Sequence, residues 1–189
     1  ASTPDEVVTF LRDLAKRSLA QAKVEVEEVK AFAREKLGIA DPQSWDLTFA
    51  SEKLREARYA YSDQEVKQYF TEPAVFSGLF GLVQKLFSIR IVPDTAPVWH
   101  PDVKFFRIEN AQGEKVAQFY MDLYARANKR GGAWMDNDRV RRRVNGHLET
   151  PTAYLVCNFS KPVGNKPALL THDDVLTLFH EFGHGLHHM

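Results

Sequence analysis

Apolar residues recur at helical spacing through the first half of the chain and predict a largely helical segment. The stretch Thr3–Glu6 offers a hydroxyl cap, a proline at the first helical position and a glutamate placed to close a capping box. The pattern then continues to Leu37, and Gly38 supplies a left-handed stop, so we predict one long helix with a break near Ser18. Further helices are predicted over residues 45–60, after the capping box that begins at Ser62, and from Pro73 to Phe87.

Beyond Ile89 the chain becomes rich in β-branched and aromatic residues. The predicted strands are Ile89–Val92, Val103–Ile108, Val116–Leu123 and Ala153–Phe159. Residues 110–113 are predicted to form a turn between the second and third strands, and Thr171 is predicted to cap a terminal helix. The pattern therefore predicts an α+β fold that is mainly helical, with a small antiparallel sheet. We expect two domains, a helical segment (1–88) and a segment that holds the sheet and the terminal helix (89–189).

Composition narrows the classes of function. The 189 residues carry 25 basic and 25 acidic side chains, so no global field would recruit nucleic acid or an anionic membrane. The arginines at 139–143 lie among acidic residues without interleaved aromatics, which also argues against nucleic acid. No apolar run is long enough to span a membrane, and no signal peptide is visible at the start. The single cysteine, Cys157, excludes an internal disulfide and favours a cytoplasmic location, and its strand context predicts a buried thiol.

The terminal helix contains the motif His180-Glu181-Phe182-Gly183-His184. Helical residues four apart lie about 40° apart around the axis and about 6 Å along it, so the imidazoles of His180 and His184 can converge on one ion. Glu181 lies about 60° from His184 on the same surface, where it can take a proton from a zinc-activated water and pass it to the leaving amine. The motif predicts a zinc metallopeptidase with Zn²⁺ as cofactor, two histidine ligands and a glutamate general base.

A catalytic zinc normally has three protein ligands, and this sequence offers only two with a diagnostic spacing. Candidates without such spacing are His100, Glu149 and His172. His184 and His188 are also four residues apart, but no glutamate lies between them, so we expect surface or supporting roles for His187 and His188.

Two other segments could border a substrate. The loop Lys129–Trp134 is glycine-rich and basic but lacks the Lys-Ser/Thr ending of a phosphate loop. It is either a hinge or surface turn, or a wall of a cleft. The strand that contains Tyr154 would hold a peptide by strand addition if it presents a free edge beside the metal.

Several longer blocks resemble the thimet oligopeptidase family of zinc peptidases. They are Trp99–Val103, Phe119–Trp134, Ala153–Phe159 and Thr171–Met189, the last of which contains the Phe-His-Glu-Phe-Gly-His-Gly-Leu-His sequence. The resemblance covers nearly all of the chain and implies a mainly helical fold that admits short peptides to a deep channel beside a small sheet. It implies that His180 and His184 bind zinc and that Glu181 is the general base. The residues that it implies as borders of the substrate are Gly131, Gly132, Ala153, Tyr154 and Leu155.

Members of that family have a long helical region before the equivalent of Ala1, and they supply the third zinc ligand and the oxyanion-stabilising groups after the equivalent of Met189. We therefore expect these 189 residues to be part of a longer metalloendopeptidase that hydrolyses short peptides, with the missing domains of the parent chain as partners. Alone, they should bind zinc weakly and show little or no peptidase activity. The competing hypothesis is a non-catalytic metal-binding or protein-interaction module in which Glu181 performs no chemistry.

Overall fold

A computed structural model describes residues 2–60, 62–164 and 166–189, except for the side chain of Asp63. The residues group into two compact units, Ala1–Ser62 and Asp63–Met189. This boundary differs from the sequence-based one at residue 88, because the helix Glu72–Phe87 packs against the sheet of the second unit. Among the described residues, no helix is both long enough and apolar enough to cross a membrane.

The first unit consists of helices α1 (Pro4–Leu37) and α2 (Leu47–Tyr59). The Thr3 hydroxyl accepts a hydrogen bond from the Glu6 amide, and Gly38 ends α1 in the left-handed region with φ of 71°, as predicted. The predicted break near Ser18 is wrong, because its hydroxyl donates to the Leu14 carbonyl at 2.9 Å and the helix continues. An ion pair between Arg58 and Glu28 joins the two helices.

The second unit begins with helix α3 (Asp63–Val66), a 3₁₀ turn (Lys67–Tyr69) and helix α4 (Glu72–Phe87), and it ends with helix α5 (His172–His188). Between α4 and α5 lie β1 (Arg90–Pro93), β2 (Lys104–Glu109), β3 (Lys115–Tyr124), β4 (Trp134–Arg139), β5 (Arg142–Val144), β6 (His147–Glu149) and β7 (Thr152–Phe159).

Five strands form one sheet in the order β1-β2-β3-β7-β4, and β5 pairs only with β6. The α+β class is confirmed, but the sheet is mixed rather than antiparallel because β3 and β7 run parallel. The chain from Ala125 to Pro151 makes the long crossover that a parallel pair requires, and it carries β4 and the β5–β6 hairpin.

The two faces of the sheet differ in what covers them. Alternate residues such as Phe119 and Leu155 point to the helix-covered face, against α4 and α5, and form the core. The residues between them form what we call the aromatic face, where Phe105, Tyr120 and Tyr154 are register partners across β2, β3 and β7. Their rings contact in sequence, with centroids 4.4 Å and 5.2 Å apart.

Helix α5 is anchored on the helix-covered face by two of its own apolar residues. Leu178 and Phe182 are 0% and 1% exposed, and the Phe182 ring meets Phe119 edge-on with centroids 5.5 Å apart. Each such burial contributes about 1.5–3 kcal/mol. A bridge between Thr71 and Leu169 also ties the segment before α5 to the start of α4. These contacts fix the rotation of α5 about its axis.

Candidate active site

The start of α5 is set by a complete capping box, as the sequence predicts. The Thr171 hydroxyl accepts from the Asp174 amide at 3.0 Å, and the Asp174 carboxylate accepts from the Thr171 amide at 2.9 Å. With the first turn fixed, the 3.6-residue period places Leu178 and Phe182 against the sheet and turns His180 away from it. The capping box therefore contributes to the placement of the motif two turns later.

His180 and His184 are brought together by the geometry of the helix. Their Nε2 atoms lie 3.0 Å apart, and their ring planes are inclined by 82°. Two imidazoles on one tetrahedral zinc ion have nitrogens about 3.3 Å apart, from Zn–N distances of about 2.0–2.1 Å. Both side chains are exposed, and so are the flanking Leu176 and Phe179, whereas Phe182 is buried.

Glu181 lies on the boundary between the buried and exposed sides of α5. Its side chain is only 7% exposed, yet it lines a cleft next to His184. Cys157 lies beneath it in the core, where burial, and after it the charge of Glu181, raise the pKa of the thiol to about 12. The thiol is therefore neutral near pH 7, which agrees with the prediction of a core cysteine rather than a nucleophile.

The cleft is an open space of about 710 Å³ between α5 and β4. Its walls are Ala133, Trp134, Met135 and Asn137 on one side and Glu181, His184, His187 and His188 on the other. His188 Nε2 lies 3.0 Å from the carbonyl oxygen of Arg139, which can only accept, so this nitrogen carries the proton. That bond ties the last turn of α5 to the end of β4, the outermost strand beside the cleft.

The distance from α5 to β7 depends on a glycine. A β-carbon at Gly185 would lie 2.7 Å from Cδ2 of Leu155, well inside normal contact. At Gly183, two positions earlier, a β-carbon would meet nothing within 4 Å. Gly185 thus allows the close approach of the helix that carries the histidine pair.

The residues predicted to border the substrate are separated by the sheet. Ala153 and Leu155 are fully buried on the helix-covered face, whereas the Tyr154 hydroxyl, on the aromatic face, donates to Asp138 at 2.8 Å. The hypothesis that their strand offers a free edge is wrong, because β7 lies between β3 and β4. Gly131 and Gly132 are exposed and precede the cleft-lining Ala133.

The other candidate ligands lie elsewhere and have their own partners. His100 Nδ1 accepts from the Asp102 amide at 3.2 Å, and Glu149 pairs with Arg142 at 2.6 Å. His172, the first residue of α5, has its ring centroid 6.3 Å from that of Phe70. Across residues 2–60, 62–164 and 166–189, no group of three or more His, Cys, Asp or Glu side chains is arranged to hold a metal ion.

A buried ion cluster supports the loop that leads into β4. Lys129, with a side chain 5% exposed, donates to the Asp122 carboxylate at 2.9 Å and to the carbonyl of Cys157 at 2.6 Å. Burial disfavours the charged form of Asp122, but hydrogen bonds from Arg126, Lys129 and Trp99 outweigh it and lower the carboxyl pKa to about 2. The cluster is thus ionised at neutral pH.

The same loop is held from its other side by an amide. Asn158 Nδ2 donates to the carbonyls of Arg130 at 2.8 Å and Gly132 at 2.7 Å. The loop is therefore held in place from within the unit, which argues against a freely moving hinge.

Strand β4 is the part of the site that the sequence did not reveal. Residues 134–139 carry three acidic or amide residues, Asp136, Asn137 and Asp138, which are poor strand formers. The β5–β6 hairpin was also missed, although Asn145-Gly146, with φ of 50° and 82°, is a strong turn signal.

The chain is similar over its whole length to known peptidases. The model of Peptidase family M3 matches residues 1–189. Oligopeptidase A of Escherichia coli (strain K12) is 48% identical over 191 residues, which cover 100% of this chain and 28% of that protein. A probable cytosolic oligopeptidase A of Arabidopsis thaliana is 41% identical, again over 100% of this chain and 28% of that protein. Dipeptidyl carboxypeptidase of Escherichia coli (strain K12) is 38% identical over 99% of this chain and 28% of that protein.

Proposed function

This chain belongs to peptidase family M3, and from that premise we propose that it carries part of the catalytic centre of a zinc-dependent oligopeptidase. The observation that carries the proposal is the pair of Nε2 atoms 3.0 Å apart beside a cleft that Glu181 lines. The chain spans 28% of the length of the Escherichia coli relative. The peptidase activity of the whole protein is therefore proposed together with the site.

His180 and His184 would hold the metal. Their nitrogens are close to the separation of about 3.3 Å expected on a tetrahedral ion, and imidazole nitrogen is a preferred zinc donor. When bound, zinc would supply Lewis acidity towards the scissile carbonyl and lower the pKa of a water molecule. We also propose that a third protein ligand completes the zinc site, because the described residues contain no group of three side chains arranged to hold a metal ion.

Glu181 is proposed as the general base. Among the described residues, no lysine, arginine or histidine forms an ion pair with its carboxylate, which leaves the oxygens available to accept a proton. Its low exposure of 7% limits competition from bulk water. The carboxylate would take the proton of the attacking water and deliver it to the leaving amine.

We propose that the substrate is a short peptide, aligned along β4. This strand is the edge of the sheet beside the cleft, so its outer backbone groups can pair with an extended peptide, while Met135 and Asn137 face the cleft. The Tyr154 strand cannot take this role by strand addition, because β7 lies between β3 and β4. We also propose a cytoplasmic location, which the free, buried thiol of Cys157 supports.

The test is a set of single substitutions in the full gene product. Glu181→Gln should lower kcat for a quenched fluorescent peptide at least about 100-fold while zinc content stays at the native level. His180→Ala and His184→Ala should lose zinc and activity together. Glu114→Gln, in the exposed turn before β3, is the matched control and should change neither.

The outcome also decides between the two classes of function. A metal-binding module without catalysis requires that no peptide is cleaved and that Glu181→Gln leaves zinc binding unchanged. Loss of zinc in Glu181→Gln would instead make the glutamate a ligand and refute its role as base. Zinc analysis of residues 1–189 alone, beside the full gene product, then reports whether these residues suffice to hold the ion.

A further inference from the structure

The aromatic face of the sheet carries a second cavity that peptide hydrolysis at the histidine pair does not use. It has a volume of about 320 Å³, at the lower end of the 300–1,000 Å³ typical of small-molecule sites. It is lined by Trp99, Asp122, Arg126, Lys129, Trp134, Tyr154 and Val156. Tyr154 and Val156 alternate along β7 with Leu155, which packs under α5, so this cavity and the histidine pair lie on opposite faces of the sheet.

The walls of this cavity are rigid aromatic rings. Trp99 Nε1 donates to the Asp122 carboxylate at 2.9 Å, which fixes the plane of the indole. The same ring contacts Tyr154 in a T-shaped arrangement, with centroids 5.6 Å apart. Tyr154 is held in turn by its hydrogen bond to Asp138. Such walls accept a planar or branched apolar side chain with little loss of conformational entropy.

The floor of the cavity holds two cations and one carboxylate. Arg126 and Lys129 both pair with the single carboxylate of Asp122, at 2.6 Å and 2.9 Å. Two further carboxylates lie close to the lining residues. Asp102 acts on Arg126 and pairs with Lys161 at 3.0 Å, and Asp138 accepts from the Tyr154 hydroxyl. Taken by itself, the cluster of Arg126, Lys129 and Asp122 has two positive charges and one negative charge.

Arg126 also retains hydrogen-bonding capacity. Two N–H groups of its guanidinium bind Asp122, and the other three have no hydrogen-bond acceptor among the described residues. Its side chain is 19% exposed, so it can meet a ligand, whereas Lys129 is 5% exposed and uses its ammonium on internal acceptors. Arg126 is thus the group that would bind an anion.

From this combination we propose that the cavity binds a small carboxylate with an aromatic or branched apolar side chain, of the kind found at the C-terminal end of a peptide. The apolar group would lie between Trp99 and Tyr154, and the carboxylate would meet the free N–H groups of Arg126. Trp134 lines both this cavity and the cleft beside His184, so an occupant would contact a residue shared with the proposed catalytic site. The binding itself does not depend on zinc or on the proposed peptidase activity.

The test uses N-acetyl-L-phenylalanine and its uncharged amide as matched probes. Trp99 and Trp134 line the cavity, and Trp45→Phe removes the third tryptophan of residues 1–189, which is 76% exposed in the other unit. The carboxylate should produce a saturable change in tryptophan fluorescence, and the amide should bind about tenfold more weakly or worse, because it loses a charge-assisted hydrogen bond. Equal binding of the two probes, or no saturation up to about 10 mM, would overturn the proposal.

Substitutions then locate the probe. Binding should persist in a His180→Ala, His184→Ala double variant, which excludes coordination of the carboxylate at the histidine pair. It should weaken about tenfold in Arg126→Met but not in Arg90→Met, an exposed arginine on the far edge strand β1. Loss of binding in the double histidine variant, or native affinity in Arg126→Met, would refute the assignment. If Arg126→Met fails to fold, the comparison of the two probes on the native protein still decides.

Discussion

Two glycines of α5 provide a matched test of how the helix is seated on the sheet. A β-carbon added at Gly183 meets nothing within 4 Å, whereas one added at Gly185 lies 2.7 Å from Cδ2 of Leu155. Both residues are inside the same helix, so alanine removes the same conformational penalty of glycine at each position. The two variants therefore differ mainly in packing.

The expected magnitudes follow from that contact. Gly183→Ala should stabilise the protein by up to about 1 kcal/mol, the usual gain in a helix interior. At Gly185 the same gain is opposed by overpacking of about 1–3 kcal/mol, because Leu155 is fully buried and has no solvent to move into. Gly185→Ala should thus range from neutral to about 2 kcal/mol destabilising, and the two variants should differ by about 1–3 kcal/mol.

The assay is urea denaturation followed by the fluorescence of Trp99 and Trp134, both in the second unit, in a Trp45→Phe background. A Leu155→Ala background gives the internal check, because removal of the clashing methyl groups should make Gly185→Ala stabilising there. If Gly185→Ala stabilises the native background as much as Gly183→Ala does, the close approach of α5 to β7 is not what the glycine provides.

Two further predictions concern the supports of the cleft. In Asp122, the fall of the carboxyl pKa from its ordinary 3.8 to about 2 corresponds to about 2 kcal/mol of stability, present above pH 4 and lost as the pH falls through about 2. The difference in unfolding free energy between the native protein and Asp122→Asn should therefore shrink by about that amount between pH 5 and pH 2, and a constant difference would contradict it. Asn158→Asp keeps the shape of the side chain but cannot donate to the carbonyls of Arg130 and Gly132. Amide hydrogen exchange in residues 129–133 should therefore become faster, and unchanged exchange would contradict the role of Asn158 in holding the loop.

The parts of the fold that were predictable from the sequence are those set by local signals. Thr171 and Asp174 fix the start of α5 within four residues, and the spacing of the histidines fixes their convergence once the helix exists. Ser18 was misread because a serine hydroxyl can satisfy itself on a carbonyl one turn back and leave the helix intact. Local signals therefore predicted α5 correctly. They failed at Ser18, whose hydroxyl is compatible with either a helix break or a continuous helix.

The parts of the fold that depend on contacts between distant residues could not be predicted from local signals. Strand β4 contains Asp136, Asn137 and Asp138, and it is a strand because it pairs with β7, not because of its own propensity. The parallel pairing of β3 with β7 is equally invisible to a residue pattern, since it depends on where the long crossover returns. The residue pattern thus predicted the convergence of His180 and His184 but not the strand that faces them across the cleft.

The convergence of His180 and His184 needs only an intact helix, so it should survive small shifts of α5. The position of Glu181 against β4 depends on the rotation of α5, which the buried Phe182 and the close contact at Gly185 determine. A change in packing at those two residues should therefore displace the Glu181 carboxylate before it separates the histidine pair that is proposed to bind the metal. Gly185→Ala in the gene product should accordingly lower kcat more than zinc affinity, whereas equal losses would mean that histidines and glutamate move as one rigid group.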